Sequence, residues 1–124
     1  MRIAFCDDQK AIIKELDQLV RKFNHQNQFQ DNLISFSTPL TLYSYMQTEK
    51  VDLIFMDLEF EDISEDGIEW SKKILKQFPK TIIIILTAYE SRYKDGYVAR
   101  VFRFMTKPVE EKELFENLHA CRQE

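Results

Sequence analysis

The stretch of residues 81–86 constrains the fold of this chain more than any other segment. Its sequence, Thr-Ile-Ile-Ile-Ile-Leu, is β-branched up to the last position and leaves no polar face. A strand that is open to water on one side alternates apolar and polar residues, so this run predicts a strand buried on both faces. Such strands are typical of parallel sheets that are covered by helices. We therefore expect this segment to lie centrally in a parallel sheet.

The rest of the chain alternates between similar short runs and longer amphipathic segments. Further strands are predicted at residues 3–6, 33–36, 53–56 and 101–105. Apolar residues spaced three and four apart predict helices around residues 12–23, 68–78 and 114–121. Thr38 and Pro39 predict the start of another helix, which should run to about residue 47, and a weaker helix is predicted at roughly residues 90–99. Five buried strands that alternate with five helices define a parallel α/β sandwich.

Composition narrows the class of protein further. The 124 residues suffice for one domain. The low content of 2 Gly and 3 Pro argues against a disordered chain. The longest apolar run, residues 82–86, is too short for a membrane span, and the N-terminus shows no signal-peptide pattern. Cys6 and Cys121 lie in apolar segments and are expected to be buried thiols in a reducing compartment. We expect a soluble, cytoplasmic protein whose net charge of −4 disfavours direct nucleic-acid binding.

Polar residues follow four of the five predicted strands at the point where each strand ends. Ligands of open parallel sheets bind at the carboxyl ends of the strands, so these side chains are expected to converge on one edge. The site would then hold three carboxylates, a hydroxyl group and an ammonium group. The strand ends carry Asp7-Asp8, Asp57, Thr87-Ala88 and Thr106-Lys107-Pro108.

Three carboxylates placed together need a proton or a cation. At about 5 Å, each pair repels by roughly 3 kcal/mol at an effective dielectric of about 20. Oxygen ligands without His or Cys favour a hard cation, and Mg²⁺ commonly combines one or two carboxylates with the phosphate oxygens of a substrate. Lys107 and Thr87 would supply a charge and a hydrogen bond to a phosphoryl group. A carboxylate that attacks in line would become an aspartyl phosphate.

Over essentially all 124 residues, this arrangement resembles the receiver domain of bacterial two-component response regulators. Five functional positions agree in identity and order: Asp7, Asp8, Asp57, Thr87 and Lys107. The spacing of 20 residues between Thr87 and Lys107, with Thr-Ala-Tyr at its start, is similar to the LytTR-type (LytR/AgrA-like) branch. The resemblance implies a CheY-like, flavodoxin-like fold, a doubly wound five-stranded parallel sheet of order 2-1-3-4-5 with five helices.

The resemblance also implies a role for each residue. Asp57 would be the phosphoacceptor, receiving a phosphoryl group from a sensor histidine kinase or from a small donor such as acetyl phosphate. Mg²⁺ would be bound by Asp8, Asp57 and the backbone carbonyl of Glu59, and Asp7 would act mostly through a metal-bound water. The chain would phosphorylate and dephosphorylate itself without being a turnover enzyme.

Three further positions would take part in the switch. Lys107 would pair with the Asp57 carboxylate before the reaction and with the phosphoryl group after it. Thr87 would move to hydrogen-bond a phosphoryl oxygen. Phe104 would take the place of the family's rotating aromatic residue, although a Phe on a strand can equally be static core. The Lys107–Pro108 peptide bond would be cis.

The resemblance extends to organisation and partners. Residues 1–124 would form the receiver domain, with no output domain in this chain and no membrane contact. The output surface would comprise the fourth helix, the fifth strand and the fifth helix, where phosphorylation would favour a homodimer. In a LytTR-type regulator, a DNA-binding domain of the parent protein would control transcription, so nucleic acid would be contacted only through that domain.

Three departures from the family pattern bear on the site. The family often has Pro four residues after the phosphoacceptor, where this chain has Glu61. The Gly at the start of the next helix is Gly67, which implies a longer loop. The switch aromatic residue is Phe104, which lacks the hydroxyl group of Tyr. Glu59 and Tyr89 are expected to line the opening of the site, where water attacks the phosphoryl group, and to set the rate of dephosphorylation.

Other functions are open from the residues alone. Asp7 and Asp8 would also suit a simple cap of the first helix, and the acid-rich residues 59–69 would suit an ordinary solvated loop. The same fold without phosphorylation would be a pseudo-receiver that acts as a protein-interaction module. A phosphohydrolase of the haloacid dehalogenase type would need a second acid two residues after Asp7, where Gln9 stands. An FMN binder would need a hydroxyl-rich loop after the first strand, which the sequence lacks.

Overall fold

A computed structural model of the chain describes residues 1–61, 65–88 and 100–124. The strands are β1 (Arg2–Cys6), β2 (Asn32–Phe36), β3 (Leu53–Asp57), β4 (Ile82–Thr87) and β5 (Arg103–Thr106). The helices among the described residues are α1 (Lys10–Asn27), α2 (Pro39–Met46), α3 (Gly67–Gln77) and α4 (Glu111–Cys121). Helix α4 corresponds to the fifth predicted helix, because the helix predicted at residues 90–99 lies outside the described residues.

The five strands form one sheet in the order β2-β1-β3-β4-β5, as predicted. Every pairing between neighbouring strands is parallel. Strand β4, which carries the β-branched run of residues 82–85, lies between β3 and β5 in the interior of the sheet. The doubly wound fold predicted from the sequence is therefore confirmed.

Alternate side chains of the sheet enter two separate cores. On one face, Phe5 and Phe55 pack with apolar residues of α1 and α4. On the other face, Cys6 and Met56 pack with apolar residues of α2 and α3. Because helices cover both faces, the inner strands need apolar residues at nearly every position. Polar side chains are then left to the strand ends, which is where the predicted site lies.

The prediction that every strand is buried on both faces is wrong for the two edge strands. In β2, Asn32 and Ser35 are exposed, and in β5 Arg103 is exposed. An edge strand has one neighbouring strand instead of two, so part of its surface faces water. Strand β5 also begins two residues later than predicted. The strand is preceded by a turn at Arg100, whose φ of 62° lies in the left-handed region.

Several local predictions are confirmed. The side chain of Thr38 accepts a hydrogen bond from the backbone N–H of Thr41 at 3.2 Å, and Pro39 begins α2. Cys6 and Cys121 are both buried and free of disulfides. Across the described ranges, we find no helix with the length and apolar content that crossing a bilayer requires.

The start of α3 is fitted closely against the end of β3. The Gly67 N–H donates to the carbonyl of Leu58 at 2.7 Å. A Cβ atom on Gly67 would lie 2.1 Å from the carbonyl oxygen of Asp57 and 3.1 Å from the Cα of Leu58. Both atoms belong to the backbone and cannot rotate away, so only glycine lets α3 begin this close. Gly67 therefore helps to fix the position of Asp57 at the edge of the sheet.

We expect Gly67→Ala to lower the free energy of unfolding by about 1–3 kcal/mol, because the added methyl group must displace the backbone of Asp57 or Leu58. Chemical denaturation monitored by the fluorescence of Trp70 measures this change. Lys72→Ala, at an exposed position of the same helix, should change the value by less than about 0.5 kcal/mol. Equal stability of Gly67→Ala and the wild type would show that the helix start is free to shift.

Candidate functional site

The register of the sheet brings the predicted site residues to one edge. The pairing of β1 with β3 ends at Cys6 and Met56, the residues that directly precede Asp7 and Asp57. The Asp7 and Asp57 side chains are therefore neighbours. Strands β4 and β5 pair up to Thr87 and Thr106, so Lys107 follows directly. The Lys107 N–H also donates to the backbone carbonyl of Thr87 at 2.9 Å. Four separate strand ends thus contribute side chains to one location.

Asp7, Asp8 and Asp57 form a cluster of carboxylates. One oxygen from each lies within 4.8 Å of the others. Asp7 and Asp57 are only 1% and 6% exposed, and Asp8 is half-buried. At this separation and an effective dielectric of about 20, each pair of ionised carboxylates repels by about 3 kcal/mol. The convergence of carboxylates expected from the sequence is therefore observed.

The ammonium group of Lys107 bridges two of these carboxylates. Its Nζ lies 3.0 Å from Asp57 Oδ1 and 3.2 Å from Asp7 Oδ2. Partial burial lowers the pKa of Lys107, but the hydrogen bond and charge of Asp57 and the charge of Asp7 outweigh it, so the net shift is upward. Lys107 is therefore protonated at neutral pH. When ionised, three carboxylates and one ammonium group leave the cluster with a net charge of −2.

Hydrogen bonds engage the carboxylate oxygens unequally. Both oxygens of Asp7 are occupied, since Oδ1 accepts from the Gln9 N–H at 2.8 Å and Oδ2 contacts the bridging ammonium group. Asp8 Oδ2 accepts from the Glu61 N–H at 2.9 Å, and Asp57 Oδ1 contacts the same ammonium group. Among the described residues, no hydrogen-bond donor contacts Asp8 Oδ1 or Asp57 Oδ2. Within the described ranges, both oxygens of Asp7 therefore accept hydrogen bonds, whereas Asp8 and Asp57 each keep one oxygen without a donor.

Asp57 is less acidic than an ordinary carboxyl group. Burial, followed by the negative charge of Asp7, raises the pKa of Asp57 from 3.8 to about 6, although the hydrogen bond from Lys107 opposes this shift. The ionised form is the one that can act as a nucleophile. Ionisation of Asp57 at neutral pH therefore lowers the stability of the folded chain. A bound divalent cation would offset both the burial and the repulsion.

An open cavity of about 440 Å³ lies over the cluster. Thr87 is 2% exposed in its wall, and Glu59 is exposed at its rim. The cavity therefore has room for a small charged group beside Asp8 and Asp57. Its lining residues are Asp8, Gln9, Asp57, Leu58, Glu59, Phe60, Glu61, Thr87, Ala88 and Lys107.

One of the positions expected to act in the switch is not among these lining residues. Phe104, on β5, is half-buried against the core that α2 and α3 cover. That location agrees with both a static core residue and a moving one. Tyr89 lies outside the described residues. The Lys107–Pro108 peptide bond is cis.

The acid-rich segment after β3 is not an entirely solvated loop. Leu58 and Phe60 are buried and belong to the core that α2 and α3 cover. The Leu58 N–H also donates to the carbonyl of Leu86 at 3.0 Å. The acidic side chains beside them, Glu59 and Glu61, are exposed. The interpretation of residues 59–69 as an ordinary solvated loop is therefore wrong for its first part, which is anchored in the core.

Sequence reasoning missed three contributors to the site. Phe60 stands alone between acidic residues, so no apolar pattern marked it as a core residue. Gln9 and Glu61 act through their backbone N–H groups, which every residue except proline has. A signal for Gln9 was available, because an Asp often accepts a hydrogen bond from the N–H two residues later. No comparable local signal exists for Glu61, which lies 53 residues from its partner.

Comparison with known protein families agrees with the geometry. The family model of the response regulator receiver domain matches residues 3–119. The chain therefore belongs to the response regulator receiver domain family, whose members are signalling switches of two-component systems. Receiver domains generally bind Mg²⁺ at an acidic pocket, and the cluster of Asp7, Asp8 and Asp57 is such a pocket.

Curated relatives match the chain over most of its length. Protein MrkE of Klebsiella pneumoniae is 25% identical over 118 residues, which cover 95% of this chain and 42% of MrkE. The uncharacterized transcriptional regulatory protein YhcZ of Bacillus subtilis (strain 168) is 32% identical over 93 residues, covering 74% of this chain and 40% of YhcZ. The chain thus spans about two fifths of the length of these relatives.

Solved structures show the same fold. The crystal structure of the response regulatory domain of MrkE from Klebsiella pneumoniae superposes on this chain with a TM-score of 0.85. The superposition covers 100% of both chains at 23% sequence identity. At that identity the likeness shows the fold alone.

The raised pKa of Asp57 predicts a pH-dependent stability. The folded state binds the Asp57 proton more tightly than the unfolded state, so stability falls as the pH rises from about 4 to above about 6. Without divalent cations at about pH 7.5, we expect Asp57→Asn to be more stable than the wild type by about 1–3 kcal/mol, and the gain should vanish near pH 4. Urea denaturation in EDTA at both pH values measures the difference. A variant less stable at both pH values would show that the Lys107 ion pair outweighs burial and repulsion.

Proposed function

We propose that this chain is a phosphorylation-controlled switch that accepts a phosphoryl group on Asp57 from a sensor histidine kinase with the help of Mg²⁺. The observation that carries this proposal is the Lys107 ammonium group, 3.0 Å from Asp57 Oδ1 at the floor of a cavity that Thr87 also lines. A nucleophilic carboxylate, a cation and a hydroxyl donor are the groups that phosphoryl transfer requires.

In the transfer step, a carboxylate oxygen of Asp57 attacks phosphorus and forms a P–O bond. The P–N bond to the imidazole of the kinase breaks, and the electron pair leaves with the imidazole nitrogen, which takes up a proton from solvent. Lys107 then exchanges its contact with Asp57 for a contact with the phosphoryl oxygens. Because its ammonium group is already at this position, little rearrangement is needed to stabilise the charge of the transition state.

The residues present fit a magnesium ion. Asp8 and Asp57 each have an oxygen available, the backbone carbonyl of Glu59 would be a third protein ligand, and Asp7 would act through a bound water. When bound, Mg²⁺ supplies positive charge to the phosphoryl oxygens and neutralises the net charge of −2 on the cluster. The chain's own contribution is to hold oxygen ligands, without His or Cys, close together at the cavity wall.

The response to phosphorylation would pass through Thr87 and Phe104. Thr87 would donate its hydroxyl hydrogen to a phosphoryl oxygen, and this movement would make room for Phe104 to turn toward the core. Thr87 ends β4, and Phe104 lies on the neighbouring strand β5, opposite Ile85. Water entering beside Glu59 would later hydrolyse the aspartyl phosphate, so the chain resets itself and is not a turnover enzyme.

The output is proposed to be transcription. The Bacillus relative is named a transcriptional regulatory protein, and this chain spans only part of its length. The Thr-Ala-Tyr sequence and the spacing from Thr87 to Lys107 support a LytTR-type parent protein with a separate DNA-binding domain. Residues 1–124 would be the receiver domain of that protein. Phosphorylation would favour a homodimer through the surface formed by the fourth predicted helix, which lies outside the described residues, together with β5 and α4, the fifth predicted helix.

We expect the chain to gain the mass of one phosphoryl group when it is incubated with acetyl phosphate and Mg²⁺. Intact-mass spectrometry measures the gain, and it should disappear in EDTA and in Asp57→Asn, which lacks the nucleophile. Asp52→Asn is the matched control, because Asp52 lies at the opposite end of β3 and accepts a hydrogen bond from the Arg2 N–H at 2.7 Å. This control should be phosphorylated like the wild type.

Phosphoramidate, whose P–N bond resembles that of phosphohistidine, serves as a second donor. No mass gain with either donor would contradict the proposal and favour a pseudo-receiver that binds partners without phosphorylation. A gain that persists in Asp57→Asn would place the phosphoryl group on another residue.

A further inference from the structure

A hydrogen bond from the segment after β3 ties this segment to the carboxylate cluster. The backbone N–H of Glu61 donates to Asp8 Oδ2 at 2.9 Å. The two residues are 53 positions apart, so this bond joins the end of β1 to the loop that follows β3. The side chain of Glu61 is exposed and takes no part in the bond, which depends on the N–H alone.

This bond differs from the corresponding one at Asp7. Asp7 Oδ1 accepts from the Gln9 N–H, two residues further along the same turn, so that bond is local. Asp8 is instead held by a distant segment, and within the described ranges a hydrogen bond engages one of its two oxygens. The bond therefore restricts the rotation of the Asp8 carboxylate, which lines the same cavity as Asp57.

The same bond closes one end of a short anchored segment. At the other end, the Leu58 N–H bonds to the Leu86 carbonyl, and the side chains of Leu58 and Phe60 are buried in the core. Glu59, whose carbonyl is a proposed metal ligand, lies between these anchors. A segment held at both ends loses less conformational entropy when a ligand binds, which is the basis of preorganisation.

We propose that the backbone N–H of Glu61 is a positioning group for the metal site, which we call the Glu61 latch. The latch orients Asp8 and holds the Glu59 carbonyl beside it, so that both are ready to bind a divalent cation. This inference rests on the proposed function, since it concerns the same site. The affinity of the site for a divalent cation would then depend in part on the backbone N–H of Glu61, a group that the pattern of acidic residues in the sequence does not reveal.

A pair of substitutions at position 61 isolates the latch. Glu61→Pro and Glu61→Ala both remove the carboxylate, but only the proline variant removes the N–H. Hydrogen bonds to metal-bound carboxylates typically change metal affinity by about 10–100-fold. We expect Glu61→Pro to bind Mg²⁺ at least about tenfold more weakly than Glu61→Ala, as measured by isothermal titration calorimetry, because of this loss.

A second readout needs no metal and no substitution at position 61. In EDTA, Asp8→Ala removes the acceptor of the latch, so the Glu61 amide should exchange its hydrogen on the order of tenfold faster than in the wild type. The Gly67 amide is the internal control, because it donates to the Leu58 carbonyl and not to Asp8. NMR hydrogen exchange resolves the two amides.

Equal Mg²⁺ affinities of Glu61→Pro and Glu61→Ala would overturn the latch while leaving the proposed function intact. An unchanged exchange rate at Glu61 in Asp8→Ala would overturn it as well. A wild-type chain that binds no Mg²⁺ would instead contradict the proposed function, and the positioning role with it. Weaker binding in Glu61→Pro together with faster exchange at Glu61 in Asp8→Ala would support the latch.

Discussion

The repulsion among three largely buried carboxylates is the interaction on which the rest of this structure depends. Asp7, Asp8 and Asp57 share the end of the sheet while Lys107 supplies a single positive charge. The net charge of −2 that remains equals, with opposite sign, the charge of one divalent cation. A site that is unfavourable when ionised and without a cation changes its free energy strongly when a cation or a phosphoryl group arrives. A signalling switch requires a large change of this kind.

The fold keeps the backbone of the site in place while the charges change. Strand β3 is buried at every position, and the absence of a side chain at Gly67 lets α3 pack directly on the carbonyl of Asp57. A backbone hydrogen bond joins Lys107 to Thr87 across the ends of β5 and β4. Because the backbone is held by these contacts, a change of charge is expected to act first on side chains. Movement of Thr87 is the proposed first step of the response.

Much of the fold and site could be predicted from the sequence, since burial on both faces leaves strands apolar and confines polar residues to their ends. The residue pattern alone therefore located Asp57 and Lys107. It failed where exposure depends on strand order, as for Ser35 on the edge strand β2. It also failed for Phe60, an apolar anchor among acidic residues, and for the Glu61 N–H, which reaches Asp8 only through the folded chain. Tertiary contacts of single residues and backbone groups leave no periodic pattern to detect.

The most direct test of this account is the thermal unfolding of the wild-type chain at neutral pH with Mg²⁺, compared with NaCl at the same ionic strength. If the excess charge of the cluster forms a divalent-cation site, millimolar Mg²⁺ should raise the unfolding temperature by several degrees, while NaCl should have little effect. The Mg²⁺ effect should be much smaller in Asp57→Asn, in which one of the repelling charges is absent. Equal effects of the two salts, or an undiminished effect in that variant, would contradict the central role given to the carboxylate cluster.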